Sequence, residues 1–531
     1  FHSGKTNWIL TGTISSRMYL KQANFHSQAA LERKTEPLAS LAWLLGADYP
    51  GQFLEYAWKL LLKNHPHDDI CGCSVDEVHD DMMNRFTHVN QVADGLTKEA
   101  LDVIMSAIHF KDEAEGTPVL VLNTRPSPRG FETSHELVVP ADYFKNGTPV
   151  LEDFRGNPVP ALIEPGEEFS EPKFWGDRQM RRIRVTFTAE DVPPFGYRSY
   201  YVKKSTGSLK ISNDLKVSSR SVENSHIKIN INKNGSLNIL EKASGFRLKN
   251  AHYFENCADA GDEYDFSHIS GDKPITTRNL KAEVSTSLIG DYKAVAKISL
   301  QWPLPENLTQ DRKKRSGRKI NVPIETEITL YQNNRRIEFR TTMDNRVKDH
   351  RLRAVFPTPL KTDVSLAESK FDVIKRPIER EEKPDWFQPP QNTRHQENFS
   401  SLSDGKTGVS FLNRGVPEFE TSYSRNGVDW RLTLLRCVDW LSRGDLLTRR
   451  KNAGPSIYAP GGQCQGVQTF EYAAILHEGD WEKAGIQKEA WDYVTPPVAY
   501  SFYHQVRDWK GAPRLPEEGG LIRLRPEGLV M

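Results

Sequence analysis

Between Lys63 and Asp81 the chain runs KNHPHDDICGCSVDEVHDD, which gathers His65, His67, Asp68, Asp69, Cys71 and Cys73 into one short stretch. Neutral imidazole is the commonest side-chain metal ligand, and a catalytic zinc takes three protein donors while keeping a position open for water or substrate. Three readings of this density stand side by side. In the first, His65 caps the preceding helix, Asp68 and Asp69 bind loop amides, and the cysteines are small buried hydrophobes. In the second, His65, His67, Cys71 and Cys73 close around a structural zinc, although H-x-H with C-x-C is not a finger spacing. In the third, the loop gives one or two ligands to a metal completed by residues from elsewhere.

Helices must hold this loop. From Ser15 to Ile108 the pattern is helical, with Leu38, Leu41, Leu44 and Leu45 at i, i+3, i+4 spacing. Gly46 and Pro50 end the first segment, and a second, through Phe53, Tyr56, Ala57, Leu60 and Leu61, must stop before Pro66. Ser74-Val-Asp-Glu77 has the form of a capping box, which places the start of a third helix there. Its apolar positions are Val78, Met82, Phe86, Val89, Val92, Leu96, Leu101 and Ile104. Three antiparallel helices with short connections predict a three-helix bundle over 15–110.

Past Pro118 the pattern changes to short β-rich runs such as PVLVLNT, HELVVP and RIRVTFTA, with turn signals at Asn146-Gly147 and Asn234-Gly235. Further runs, among them HIKININ, SLNILE, AVAKISLQW, ETEITLY, IEFRTTM and HRLRAVF, predict stacked antiparallel sheets, with DRKKRSGRK as an exposed charged loop. The expected class is α+β multidomain: a three-helix bundle followed by antiparallel β-sandwich domains, a small β domain at 117–205 and a large sandwich at 206–531.

Lys plus Arg (71) balances Asp plus Glu (70), so no excess charge draws the chain to nucleic acid or to an anionic membrane. No run of about 18 apolar residues exists to span a bilayer. Five scattered cysteines, Cys71, Cys73, Cys257, Cys437 and Cys464, do not form a disulfide framework; they favour a reducing, cytoplasmic compartment. No G-x-G-x-x-G, Walker A sequence or fixed-period repeat is present.

HPHDDICGCS resembles the H-H-D-x-x-[TC]-G-[TCS] segment of glycoside hydrolase family 38 α-mannosidases in its bacterial form. SSRMYLKQANFHSQAALERKTEPLA is similar to the family's T-S-R-x-x-x-K opening of the helical domain. LNTRPSPRGF, VPPFGYRSYYV, DAGDEYDFS, DNRVKDHRLRAVFP and WLSRGDLLTRR resemble successive landmarks of its β domains. The resemblance implies a galactose mutarotase-like large sandwich, a Zn2+ ligand at His67 and a substrate contact at Asp68. His65 lies one step off the family's first histidine, where Pro66 stands, and receives no role. Tyr264 matches a substrate-contacting tyrosine from the β region, with Asp262 and Asp265 as neighbours; a plain Gly-Asp turn is the other reading of that segment. Arg443 matches an arginine brought towards the active site, against the alternative of a surface ion-pair cluster with Asp445, Arg449 and Arg450. Asp349, His350 and Arg351 read as a charged turn.

In the family the nucleophile and the other three zinc ligands, one histidine and two aspartates, come from an N-terminal α/β barrel. No strand followed by H-x-D occurs here, so residues 1–14 are expected to be the end of a preceding domain, with no catalytic nucleophile in this chain. The implied activity is that of a retaining α-mannosidase acting on mannose-containing oligosaccharides or small mannosides, through a covalent glycosyl intermediate. The isolated segment is expected to be inactive. A homo-oligomer is compatible with the resemblance. The alternative is a non-catalytic carbohydrate-binding or structural module.

Overall fold

The computed structural model describes residues 4–110, 116–145, 147–172, 177–205, 213–380, 386–501 and 514–522. The helical unit consists of α1 (Met18–Ala30), α2 (Glu36–Leu44), α3 (Gly51–Leu62) and α5 (Asp76–Ser106), with a one-turn helix, α4 (His67–Ile70), in the connection before α5. A π-helical turn, Leu31–Thr35, joins α1 to α2, so the first rod runs unbroken from Met18 to Leu44. The bundle core holds Leu20, Leu31, Ala57, Leu61, Met82, Phe86, Val89 and Ala93, following the helical spacing along α5. Leu38, Leu41 and Leu45 are buried as expected, but Leu44 is exposed on the outer face.

The capping box at Ser74 does not form. α5 begins after Val75, whose backbone is extended, and no side chain caps it. The Ser74 amide donates instead to His79 Nε2, 3.2 Å away. A buried neutral imidazole one turn into the helix thus replaces the serine-glutamate exchange, and Asp76 and Glu77 supply negative charge to the first turn.

Most of the described remainder is antiparallel sheet. A three-stranded sheet packs on a six-stranded one over Val119, Val121, Phe131, Val185, Phe187 and Val202, which makes the small β unit. Strands Val498–Tyr500 and Glu518–Gly520 join that six-stranded sheet, beside Thr117–Asn123 and Gly196–Ser205. These two strands, which fall within the span 206–531 expected of the large sandwich, thus sit in the sheet of the small unit. Periodicity cannot report which distant strand offers a free edge.

The large sandwich combines five-, six- and nine-stranded sheets around one core. At its centre Trp430 stacks on Phe411 with centroids 3.7 Å apart and donates Nε1 to Ser400 Oγ at 2.9 Å. The Asn234-Gly235 turn forms a hairpin, with Ile231 opposite Leu237 and Gly235 at φ 85°; Asn146, in the other expected turn, lies outside the described residues. The charged run 311–319 is only partly a solvated loop. Arg315 reaches inward and holds both oxygens of Asp272 at 2.8 and 2.9 Å and Asn256 Oδ1 at 2.6 Å.

Candidate functional site

The loop after α3 is anchored from below. Asn64, fully buried, donates Nδ2 to the Met82 carbonyl at 3.0 Å and accepts from Arg85 at 3.1 Å. His65 does not cap the preceding helix; its Nε2 pairs with Asn24 Oδ1 at 2.7 Å. Pro66 then starts α4, and Gly72 closes the turn at φ 71°. A Cβ at Gly72 would stand 3.1 Å from the Ser16 carbonyl and 3.2 Å from Arg17 Cβ, so this position needs glycine for its backbone and for its space.

The SSRxxxK sequence does the anchoring. Ser16 Oγ donates to the Gly72 carbonyl at 3.0 Å. Lys21 Nζ donates to the carbonyls of Ser16 and Cys71, at 2.5 and 2.9 Å, and burial pulls its pKa down to about 8. Arg17, 1% exposed and itself in the left-handed region at φ 46°, bonds Asp76 on α5 and donates Nε to Glu263 Oε1 at 2.7 Å. Arg17 thus ties the loop, the bundle and the β segment 259–267 together.

That segment is held by buried charge. Arg449 donates to Asp262 at 3.1 and 2.5 Å and to Asp265 at 2.8 Å, all three side chains being fully buried. Arg436 holds Asp259 at 3.3 Å and the Asp262 and Glu263 carbonyls at 2.7 and 2.8 Å. Asp265 also accepts from Gln388 at 3.0 Å. Gly12 lies so close that a Cβ there would be 2.7 Å from Asp265 Cα. Burial pushes the Glu263 carboxyl up to about 7 and that of Asp265 up to about 6. Asp262 and Asp265 are therefore braces beneath Tyr264 with their oxygens turned to arginine.

Only Tyr264 projects from this brace towards the loop. It packs with Cys73 and Leu441, its hydroxyl meets the Cys73 thiol, and Asp68 is near enough to act on it; burial first, then these neighbours, raise its pKa. Cys73 Sγ donates to Asp68 Oδ1 at 3.7 Å, and the Cys73 amide to the Asp68 carbonyl at 3.1 Å. His67 is the most open group here, with its side chain 91% exposed and Nε2 3.6 Å from Asp68 Oδ1. The fold thus gathers His67, Asp68 and Tyr264 on one patch.

Arg443 is placed differently. Its guanidinium grips Asp445 at 2.9 and 2.7 Å and lies over Trp440, while its amide donates to Asp262 Oδ2 at 2.7 Å. Of the expected surface cluster, Arg443 and Asp445 form the pair, whereas Arg449 is wholly interior. His350 is likewise interior, between Asn256 and Asn345 at 2.8 and 3.1 Å, so the 349–351 run is not a solvated turn.

The four-ligand structural zinc does not assemble, because His65 points to Asn24, His67 points to solvent, and Cys71 and Cys73 turn into the Tyr264 cluster. Among the described residues no three His, Cys, Asp or Glu side chains are gathered for a metal. All five cysteines are free. No described helix is long and apolar enough to cross a membrane.

The profile of the alpha mannosidase middle domain matches residues 9–104, and that of the glycosyl hydrolases family 38 C-terminal domain matches residues 222–440. The chain belongs to glycoside hydrolase family 38. A putative mannosylglycerate hydrolase of Halalkalibacterium halodurans is 27% identical over 567 residues, covering 98% of this chain and 60% of that protein. Alpha-mannosidase 2C1 of Mus musculus is 29% identical over 120 residues, 22% of this chain and 11% of its own. Two family 38 structures from Enterococcus faecalis, one described as an alpha-mannosidase, superpose with TM-score 0.83 at 29% identity, covering 96% of this chain and 62% and 59% of theirs. The chain spans about three fifths of the length of these long relatives. Both matched family 38 segments meet at the patch described above, since Arg17 and His67 lie in the first and Glu263 and Tyr264 in the second.

The sequence did not point to Arg17, Lys21, Glu263, Arg436 and Arg449 as the groups that hold the patch. Their types offered a weak signal, four of the five, all but Arg436, lying inside segments that resemble family landmarks, but their pairing is set in three dimensions.

Proposed function

We propose that this family 38 glycoside hydrolase chain forms part of a zinc-dependent retaining α-mannosidase that cleaves terminal α-mannosidic bonds of oligosaccharides or small mannosides. The observation that carries the proposal is His67, a solvent-open imidazole beside Asp68 and Tyr264 on a rigidly braced loop. A single open imidazole fits a zinc shared with donors from outside this chain and does not fit a closed four-ligand site. In this reading His67 holds one zinc position, Asp68 accepts from a sugar hydroxyl, and the Tyr264 hydroxyl donates to the same ring. Zinc, when bound, polarises and orients sugar oxygens as a Lewis acid. Nucleophile, acid/base group and the remaining ligands come from sequence beyond these 531 residues, so the chain alone is inactive. Arg443, committed to Asp445, enters the patch only if substrate displaces that partner. The similarity to a putative mannosylglycerate hydrolase favours a small mannoside.

The test is hydrolysis of an aryl α-mannoside by the protein at the full length of its relatives, with and without chelator, and in the His67→Ala form. Chelation should abolish turnover and His67→Ala should cost at least about 100-fold together with bound zinc, since even partners behind the ligands cost 10–100-fold. Full activity and zinc content in His67→Ala would sink the proposal. A chain that binds mannosides without hydrolysing them at full length would instead mark a carbohydrate-binding module.

A further inference from the structure

A cavity of about 340 Å³ lies where the small β unit, the nine-stranded sheet and α6 (Ile486–Val494) meet, and none of its lining residues belongs to the loop 63–81 or the segment 259–267. This is at the lower end of ligand-sized cavities, which run about 300–1,000 Å³. Its cations are nearly all matched: Lys293 with Glu132 at 2.9 Å, Arg336 with Glu338 at 2.8 Å, and Arg414 with Glu471 at 3.0 Å.

Arg129 is the exception. It is 3% exposed and makes no ion pair among the described residues. Its Nη2 donates to the carbonyls of Asp492 and Thr495 at 2.7 and 2.6 Å, its guanidinium carbon lies 4.3 Å from the Phe131 ring centroid, and Nε and Nη1 find no acceptor among the described residues. An acceptor is orphaned beside it: Asp492 Oδ2 is held by Lys488 at 2.7 Å, while among the described residues Oδ1 accepts no hydrogen bond and has Arg125 Nε at 3.8 Å. Buried polar groups are almost always satisfied, so each exception asks for a missing partner.

We infer that this cavity binds a small monocarboxylate bearing hydroxyl groups, a sugar acid or hydroxy acid, with its carboxylate on Arg129 and a hydroxyl on Asp492. One unpaired guanidinium calls for one negative charge, which distinguishes the ligand from a neutral sugar. The orphaned carboxylate oxygen beside it calls for a donor, which distinguishes it from an inorganic anion with no hydrogen to give. Phe131 and Tyr493 supply flat apolar walls against which a carbon backbone can lie. Burial pulls the Arg129 pKa down to about 9, more than the nearby Asp492 carboxylate restores.

Isothermal titration calorimetry of the 531-residue chain with sodium D-gluconate, D-glucitol and sodium chloride at matched ionic strength tests this. Gluconate should bind saturably, and glucitol and chloride at least tenfold more weakly. Arg129→Met should weaken gluconate at least tenfold. Because Arg129 also holds the end of α6, Thr329→Phe, which fills the cavity with Arg129 untouched, provides a second variant and should give the same loss. Equal binding of glucitol would overturn the inference in favour of a neutral polyol site, and no saturable gluconate binding would mean a cavity holding water only. Unchanged affinity in either folded variant would place the ligand elsewhere.

Discussion

Replacing Arg17 by Met removes the guanidinium shared by Asp76 and Glu263 and leaves two unequal carboxylates behind. The Asp76 side chain is 30% exposed and can rehydrate, whereas Glu263 is fully buried with Oε2 already unpartnered. With Arg17 present, Glu263 titrates at about 7 against an ordinary 4.5, a difference of about 2.5 units or about 3 kcal/mol at 1.36 kcal/mol per unit. The folded pKa is raised, so this carboxyl favours the fold most below about pH 4.5, and the benefit is lost as pH rises through 7. Taking Arg17 away raises the folded pKa further. At pH 8 the variant must then bury an unpaired anion or protonate it, a loss of about 3–5 kcal/mol. At pH 5 Glu263 is already protonated in the fold and the loss should fall to under about half of that. Urea denaturation of wild type, Arg17→Met and Arg17→Met/Glu263→Gln at both pH values reads this directly. The double variant should recover most of the loss at pH 8. An Arg17→Met penalty equal at the two pH values, or no recovery with Glu263→Gln, would refute the reasoning.

Gly72→Ala should cost about 1–2 kcal/mol from the left-handed backbone alone and loosen the loop, read as faster amide exchange at Cys71–Ser74. Arg449→Met strands the buried Asp262 and Asp265, and should lower stability by about 3–5 kcal/mol at neutral pH; a melting temperature within a degree of wild type would show that the brace carries no weight. Burial holds His252 and His350 down at about 3, so they stay neutral in the fold and gain a proton on unfolding near 6.5. Their folded pKa is depressed, so stability rises with pH between about 3 and 6.5, and at pH 5 each should cost about 2 kcal/mol relative to pH 7. Melting curves from pH 7.5 to 4.5 should therefore fall less steeply for His350→Asn than for wild type, the opposite-signed Glu263 and Asp265 carboxyls being common to both.

Much of the architecture was legible because it rests on local period. The spacing of Met82, Phe86, Val89 and Leu96 can only make one buried stripe on a helix, and the alternation in ETEITLY and IEFRTTM can only make half-buried strands. The density of ligand types between Lys63 and Asp81 singled out the loop whose Cys73 packs against Tyr264. What was not legible is pairing across long separations. Nothing near Arg17 in sequence announces Glu263, and nothing in DRKKRSGRK tells Arg315, which grips Asp272, from Lys313 and Lys314, which are exposed. Ser74 misled because capping chemistry is local while the actual start of α5 is decided by His79 beneath it.

The braces explain how a patch of so few open groups can be precise. His67 and Asp68 are 91% and 58% exposed and have almost no packing of their own to fix them. Tyr264 arrives from a different unit of the fold, so its distance to Asp68 is set by everything between bundle and sandwich. Apolar packing alone would tolerate small slides between the two, because hydrophobic contact is non-directional. Charge-assisted bonds are short and directional: Arg17 sets them across the joint, where sliding would have to break one, while Arg436 under Glu263 and Arg449 on both sides of Tyr264 fix the segment that Arg17 grips. Such pairs add little net stability over an apolar core. Their cost is accounted for if what they supply is geometry, and the signature of that role is a brace variant that still binds mannoside at full length but loses turnover.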